Sequence, residues 1–306
     1  MRPESPDLRK CVWKEHPDNP LISAPGREWI IADPSALMPA DSPDGKFHLF
    51  AHSLRGIHHF VSDDAARWQR IEGPLFPGLR PFIFKENGYH LFYERFVRPW
   101  QTVVAVRSSQ DLRTWSEPKT LLAPTFPWEG RLLRFNGNPC LVKLDGRYRL
   151  YYSASWSWLK DCYFPEPRYI GAAESTDLFG PYEKRPIPII SPSADVPWRN
   201  LGAGSIKVLP PANGLPWLAL SNGIYIDAQG RSRSDIRLLE SDDGLAWREA
   251  LDHAVVSPEP GWKKALVYAI SITFHEDRAL LYFNARDGWF RGSERIGLAI
   301  GQPAEG

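Results

Sequence analysis

Short apolar and aromatic-rich runs recur along this chain, and turn residues interrupt them at close intervals. One unit recurs five times: an apolar run, a tight turn, then an aromatic-rich run. The five read PSALMPADSPDGKFHLFAHS, PFIFKENGYHLFYERF, NPCLVKLDGRYRLYYSAS, GSIKVLPPANGLPWLALSNG and ISITFHEDRALLYFNAR. Their Asp-Gly, Asn-Gly and Glu-Asp pairs are hairpin turns. After the first four, a further β-rich run ends in Ser-x-Asp with an aromatic shortly behind it. These are Ser62, Asp64 and Trp68; Ser109, Asp111 and Trp115; Ser175, Asp177 and Tyr182; Ser241, Asp243 and Trp247. The turn Asp can bond its own backbone, and the aromatic can pack between sheets. Five such units predict an all-β chain in which residues 1–306 form a single five-bladed β-propeller of four-stranded sheets. A β-sandwich of irregular hairpins is the plainer alternative. The fifth unit lacks its Ser-x-Asp turn. The N-terminal CVWKEHPDNPLIS resembles the outer-strand segment KRPIPIISPS, so the stretch Val12 to Ile22 is expected to close the last blade near Ile296 to Ile300 and leave no wide edge.

Composition agrees: 29 Pro, 23 Gly, 13 Trp, 11 Tyr and 15 Phe suit short strands and many turns. With 37 Lys and Arg against 36 Asp and Glu, and no basic run, the sequence offers no footprint for nucleic acid or an anionic membrane. The N-terminus lacks the apolar core of a signal peptide, and no apolar stretch approaches membrane-spanning length, so a cytoplasmic location is expected. Cys11, Cys140 and Cys162 have no metal-ligand spacing and read as free thiols. His52, His58 and His59 have none either, so neither metal nor other cofactor is expected.

In a propeller the innermost strand of each blade lines the central channel, and the second strand returns to the face where the first began. Polar residues at those two places converge on a funnel. Innermost-strand starts are Asp33, Arg80, Asn138, Ser205 and Tyr268. Second-strand ends are His52, Glu94 with Arg95, Ser153 with Ser155, Asn222, and Asn284 with Arg286 and Asp287. Trp29, Trp156, Trp158, Tyr225 and Trp289 fall near the loops of the same face. Aromatic faces stack on sugar rings while Arg, Asn and His fix hydroxyls, so the expected ligand is a carbohydrate. Arg80, Arg95 and Arg286 leave open an acidic sugar, a phosphate or buried carboxylate partners.

The opening of the first blade, Trp29-Ile30-Ile31-Ala32-Asp33-Pro34-Ser35, resembles the Asp-Pro entry of five-bladed glycoside hydrolases of families 43, 62, 32, 68, 117 and 130. Ser241 to Trp247 and the Lys85 to Tyr89 hairpin are similar to turns frequent there. The resemblance implies an exo-acting glycosidase, or a related transglycosylase, with Asp33 as base or nucleophile. Cleavage needs a second, protonated carboxyl. Where the arabinanase and xylosidase family places an Asp in the third blade and a Glu in the fourth, this chain has Phe135 to Pro139 and Leu201 to Ser205, without an acid. The donor candidates are therefore Glu94, Glu129 and Asp287, Glu94 first. A binding propeller without catalysis and a phosphorylase whose arginines hold phosphate are the other readings.

Overall fold

The structure is a computed structural model that describes residues 6–73 and 75–304. Five four-stranded antiparallel sheets stand in a ring. Their innermost strands are Ala32–Leu37, Leu79–Lys85, Asn136–Leu144, Gly202–Leu209 and Leu266–His275. Blades one to four run outward in chain order. In the fifth, the outer strand is the N-terminal Cys11–Glu15, paired with Glu294–Pro303 so that Trp13 lies opposite Gly301. The contact continues to an Ile22–Ile296 bridge, and Asn19 bonds both the N–H and the C=O of Leu298. The ring closes as the sequence predicts.

Each blade is covered on both faces by its neighbours, which is why the strands read as nearly continuous apolar runs. Phe50, Ile57, Phe76, Leu91 and Tyr93 fill the gap between blades one and two; Leu49, Tyr282, Ile296 and Leu298 fill that between five and one. The Ser-x-Asp turns work as read. Asp64, Asp111 and Asp243 each accept two backbone N–H groups and a serine hydroxyl. Trp68 and Trp115 then meet Tyr282 and Phe50 edge-on across the blade gap. Cys11, Cys140 and Cys162 are free. No helix among the described residues is long and apolar enough to cross a membrane.

One irregularity repeats around the ring. Every innermost strand shifts register near its start, and there one residue takes a left-handed conformation: Asp33 (φ 53°), Arg80 (51°), Asn138 (47°), Gly204 (63°) and Ala269 (47°). These are β-bulges, which re-aim side chains. Three of the innermost-strand starts read from the sequence coincide with these positions; in blades four and five the starts read are Ser205 and Tyr268, one position away. Gly204 has no room for a side chain, because a Cβ there would lie 1.9 Å from the Asn222 carbonyl oxygen.

Candidate active site

The bulges of blades one and two turn Asp33 and Arg80 into one funnel. Asn284, on the second strand of blade five, accepts the Asp33 backbone N–H at 3.0 Å and fixes the bulge from the neighbouring blade. His52 does the same for Arg80, its Nδ1 accepting the Arg80 N–H at 3.2 Å. Burial, with Arg80 beside it, depresses the His52 pKa to about 3, so the ring is neutral. Its Nδ1 stands 3.4 Å from the Asp33 carboxylate without a proton to share. The Asp33 side chain keeps 13% of its surface open, and its carboxyl makes no hydrogen bond among the described residues. Burial raises its pKa, with Arg80 and Lys207 pulling the other way.

Arg80 is the hub of the site. It donates to Glu94 at 2.7 Å and lies against the rings of Phe135 and Trp156. Burial opposes its charge, but Glu94, Asp33 and Glu166 outweigh burial and hold the guanidinium firmly protonated. Glu94 is wholly buried beneath it. Gly137 makes the space: a Cβ there would lie 2.1 Å from a Glu94 carboxylate oxygen. Opposite, Arg286 pairs with Glu294 at 2.8 Å and stacks over Phe164, while Tyr268 is buried beside Glu294.

Glu166 completes the group and is absent from the sequence reading. It lies on the third strand of blade three, Phe164–Ser175, nearly buried, with no hydrogen bond or ion pair among the described residues. Burial is the main cause that pushes its pKa up to about 8; Glu294 and Asp33 add to the rise, and Arg80 and Arg286 oppose it. Asp33 and Glu166 are thus largely buried carboxyls near enough for the Asp33 charge to raise the Glu166 pKa; Asp33 has only the neutral His52 ring beside its carboxylate, and Glu166 has no partner among the described residues. Lys207, on the innermost strand of blade four, was missed too. Its Nζ donates to the Pro139 carbonyl at 2.8 Å, and burial lowers its pKa.

Other expected residues fall differently. Asn138 sits at its bulge and Asn222 holds Ser205, both buried. Ser155 is left-handed (φ 58°) next to Trp156, which packs on Phe135. Glu129 is sealed away from the funnel, accepting from Lys184 and from the backbone of Thr125 and Phe126. Asp287 is tied to the Ser293 N–H of its own loop and to Arg295 on the strand Glu294–Pro303. Arg95 follows the buried Glu94 on the strand Tyr89–Arg98 and makes no hydrogen bond or ion pair to the site's groups among the described residues. Trp29 and Trp158 are exposed, Trp289 lies among Arg231, Arg233 and Lys264, and Tyr225 packs between blades three and four. No group of three or more His, Cys, Asp or Glu able to hold a metal ion occurs among the described residues.

No protein-family model and no curated sequence matches the chain. Solved structures do. The catalytic domain of a Coprinopsis cinerea family 62 α-L-arabinofuranosidase superposes with a TM-score of 0.69 at 15% identity, over 96% of this chain and 98% of that one. A family 117 glycoside hydrolase from Zobellia galactanivorans gives 0.60 at 17%, over 97% and 92%. A β-1,2-mannobiose phosphorylase from Listeria innocua gives 0.63 at 14%, over 94% and 96%. Across nearly its whole length the chain therefore shares the five-bladed propeller of these carbohydrate-active enzymes.

Proposed function

We propose that the protein is a glycosidase in which Asp33 and Glu166 divide the work. The observation that carries this reading is the pair itself: two neighbouring carboxyls, both raised by burial, of which Asp33 is also pulled toward its ionised form by Lys207 and Glu166 is pushed further up by the Asp33 charge. Glycoside cleavage requires one ionised and one protonated carboxyl flanking the bond. Arg80 and Lys207 favour the ionised form of Asp33. Glu166 holds its proton below about pH 8 and can give it to the departing glycosidic oxygen. Asp33 attacks the anomeric carbon or takes a proton from the attacking water. Glu94, fully buried and paired with Arg80, then has a positioning role, which moves the donor from Glu94 to Glu166. Trp156 is a candidate platform for a sugar ring, beside Arg80.

With Glu166 neutral, the carboxylates of Asp33, Glu94 and Glu294 balance Arg80, Arg286 and Lys207. Both arginines already have carboxylate partners. This supports a neutral sugar at the reacting position and hydrolysis rather than phosphate-dependent cleavage. Reactive groups this nearly buried suit the entry of a chain end, hence exo action. The test is a screen of aryl furanosides and pyranosides with and without phosphate, followed by variants on the substrate found. Asp33→Asn should lower kcat/KM by about 10²–10⁴-fold. Glu166→Gln should be severe with alkyl leaving groups and mild with dinitrophenyl ones, which need no proton. Glu94→Gln should slow all substrates alike and lower Tm. Near-normal rates in Asp33→Asn would refute the assignment.

A further inference from the structure

Two loops on the funnel face, well apart in sequence, come together beside blades two and three. The hairpin end of blade two (residues 95–101) and the loop entering blade three (130–134) are joined by a parallel bridge of Gln101 to Arg134. It is made of two hydrogen bonds: Arg134 N–H donates to Trp100 O at 2.9 Å, and Thr102 N–H donates to Arg134 O at 3.0 Å. The resulting tongue carries Leu132 at 86% exposure, Leu133 at 57%, Phe96 at 56% and Trp100 at 51%. It also carries Arg95, Arg98, Arg131 and Arg134, and neither segment contains an acidic residue. Arg134 is anchored to the Pro124 carbonyl; Arg98 and Arg131 are exposed and make no ion pair among the described residues. The chain as a whole is balanced at +1, so this is a local cationic and apolar surface.

We propose that this tongue docks the protein on an anionic lipid surface. Its most exposed residues are leucines with a Phe and a Trp, which enter the boundary between headgroups and acyl chains; flanking arginines meet lipid phosphates. A sugar platform would instead need flat rings, and the two leucines at the tip are not. A second copy meeting the same patch across a two-fold axis would set arginines against arginines. Docking this way turns the funnel mouth toward the bilayer. If the glycosidase reading holds, the substrate class is a lipid-linked glycan, but docking itself does not depend on that reading.

The experiment is co-sedimentation of the full chain with vesicles of phosphatidylcholine alone or mixed equally with phosphatidylglycerol. Binding is expected to the mixed vesicles only, and to weaken with salt. Arg98→Ala and Arg131→Ala should each reduce partitioning about fivefold, from roughly 1 kcal/mol per arginine near an anionic surface. The double change Leu132→Ser with Leu133→Ser should abolish it with Tm unchanged, and Asp33→Asn should leave it intact. Three outcomes would overturn the proposal: no pelleting with the mixed vesicles, retention of a soluble polyuronate that the same variants lose, or a dimer that the leucine variants dissociate.

Discussion

Glu166 shows what a single residue costs and contributes here. Its carboxyl is held near pKa 8 by burial against an ordinary value of 4.5, so the folded chain keeps a proton that the unfolded chain has released. Stability is then greatest below about pH 4.5, for this group alone, and falls as pH rises through the window from 4.5 to 8. Beyond that window the penalty is constant. Each pKa unit corresponds to about 1.4 kcal/mol, which places the penalty at a few kcal/mol. Glu166→Gln, nearly isosteric and uncharged, should therefore raise Tm at pH 8.5 and change it little at pH 4.5. Calorimetric scans at the two pH values check this; an equal effect at both would mean that Glu166 titrates normally. A variant more stable and less active is the expected signature of a strained catalytic group.

At the scale of strands, the sequence revealed the architecture, and three of the strand starts it gave fall on the bulges for a definite reason. Asp33, Arg80 and Asn138 are each followed by proline, a visible break at a strand start, whereas Gly204 and Ala269 carry no such mark. Glu166 was hidden by the same logic. It lies between Pro165 and Pro167, a context that argues against a strand. Yet the strand runs through it, because the outer strand of blade three is only Glu183–Lys184 and meets the third at Ala173 and Glu174. Beside Glu166 the third strand is thus an edge, where a proline forfeits no ladder bond. The cationic tongue was illegible because its arginines come from two loops with a strand pair between them. Closure of the ring, by contrast, was legible and makes a firm prediction. Leu8 is fully buried with residues of blades four and five, Arg9 reaches Glu240, and Glu15 pairs with the buried Lys263 at 2.6 Å. Leu8→Ala should cost about 2–5 kcal/mol in denaturant unfolding. Removal of residues 1–22 should expose the Glu294–Pro303 edge and cause aggregation. A truncated chain as stable and monodisperse as the full one would show that closure contributes nothing.

The ionisable groups of the candidate site come from the whole ring, since no blade contains them alone. Blade one supplies Asp33, blade two Arg80 and Glu94, blade three Glu166, blade four Lys207, and blade five Arg286, Glu294 and Tyr268. Their charges act on one another across the axis, so a change in one blade should appear as a titration in another. For the glycosidase reading, kcat/KM should be bell-shaped in pH. Its acid limb should lie above the ordinary Asp value of 3.8, because burial raises Asp33, and its basic limb near 8, where Glu166 loses its proton. Lys207 separates the two limbs. It lowers the Asp33 pKa but is not among the groups acting most strongly on Glu166. In Lys207→Met, one of the two pulls that favour ionised Asp33 is gone while that of Arg80 remains, so the Asp33 pKa should rise and the acid limb should move to higher pH while the basic limb stays in place. The bell should narrow from one side only, with the rate at its top changed less than at pH 5. Unchanged limbs would mean that Asp33 does not sense blade four, and a matching shift of both would mean that one group is not Asp33 or the other not Glu166.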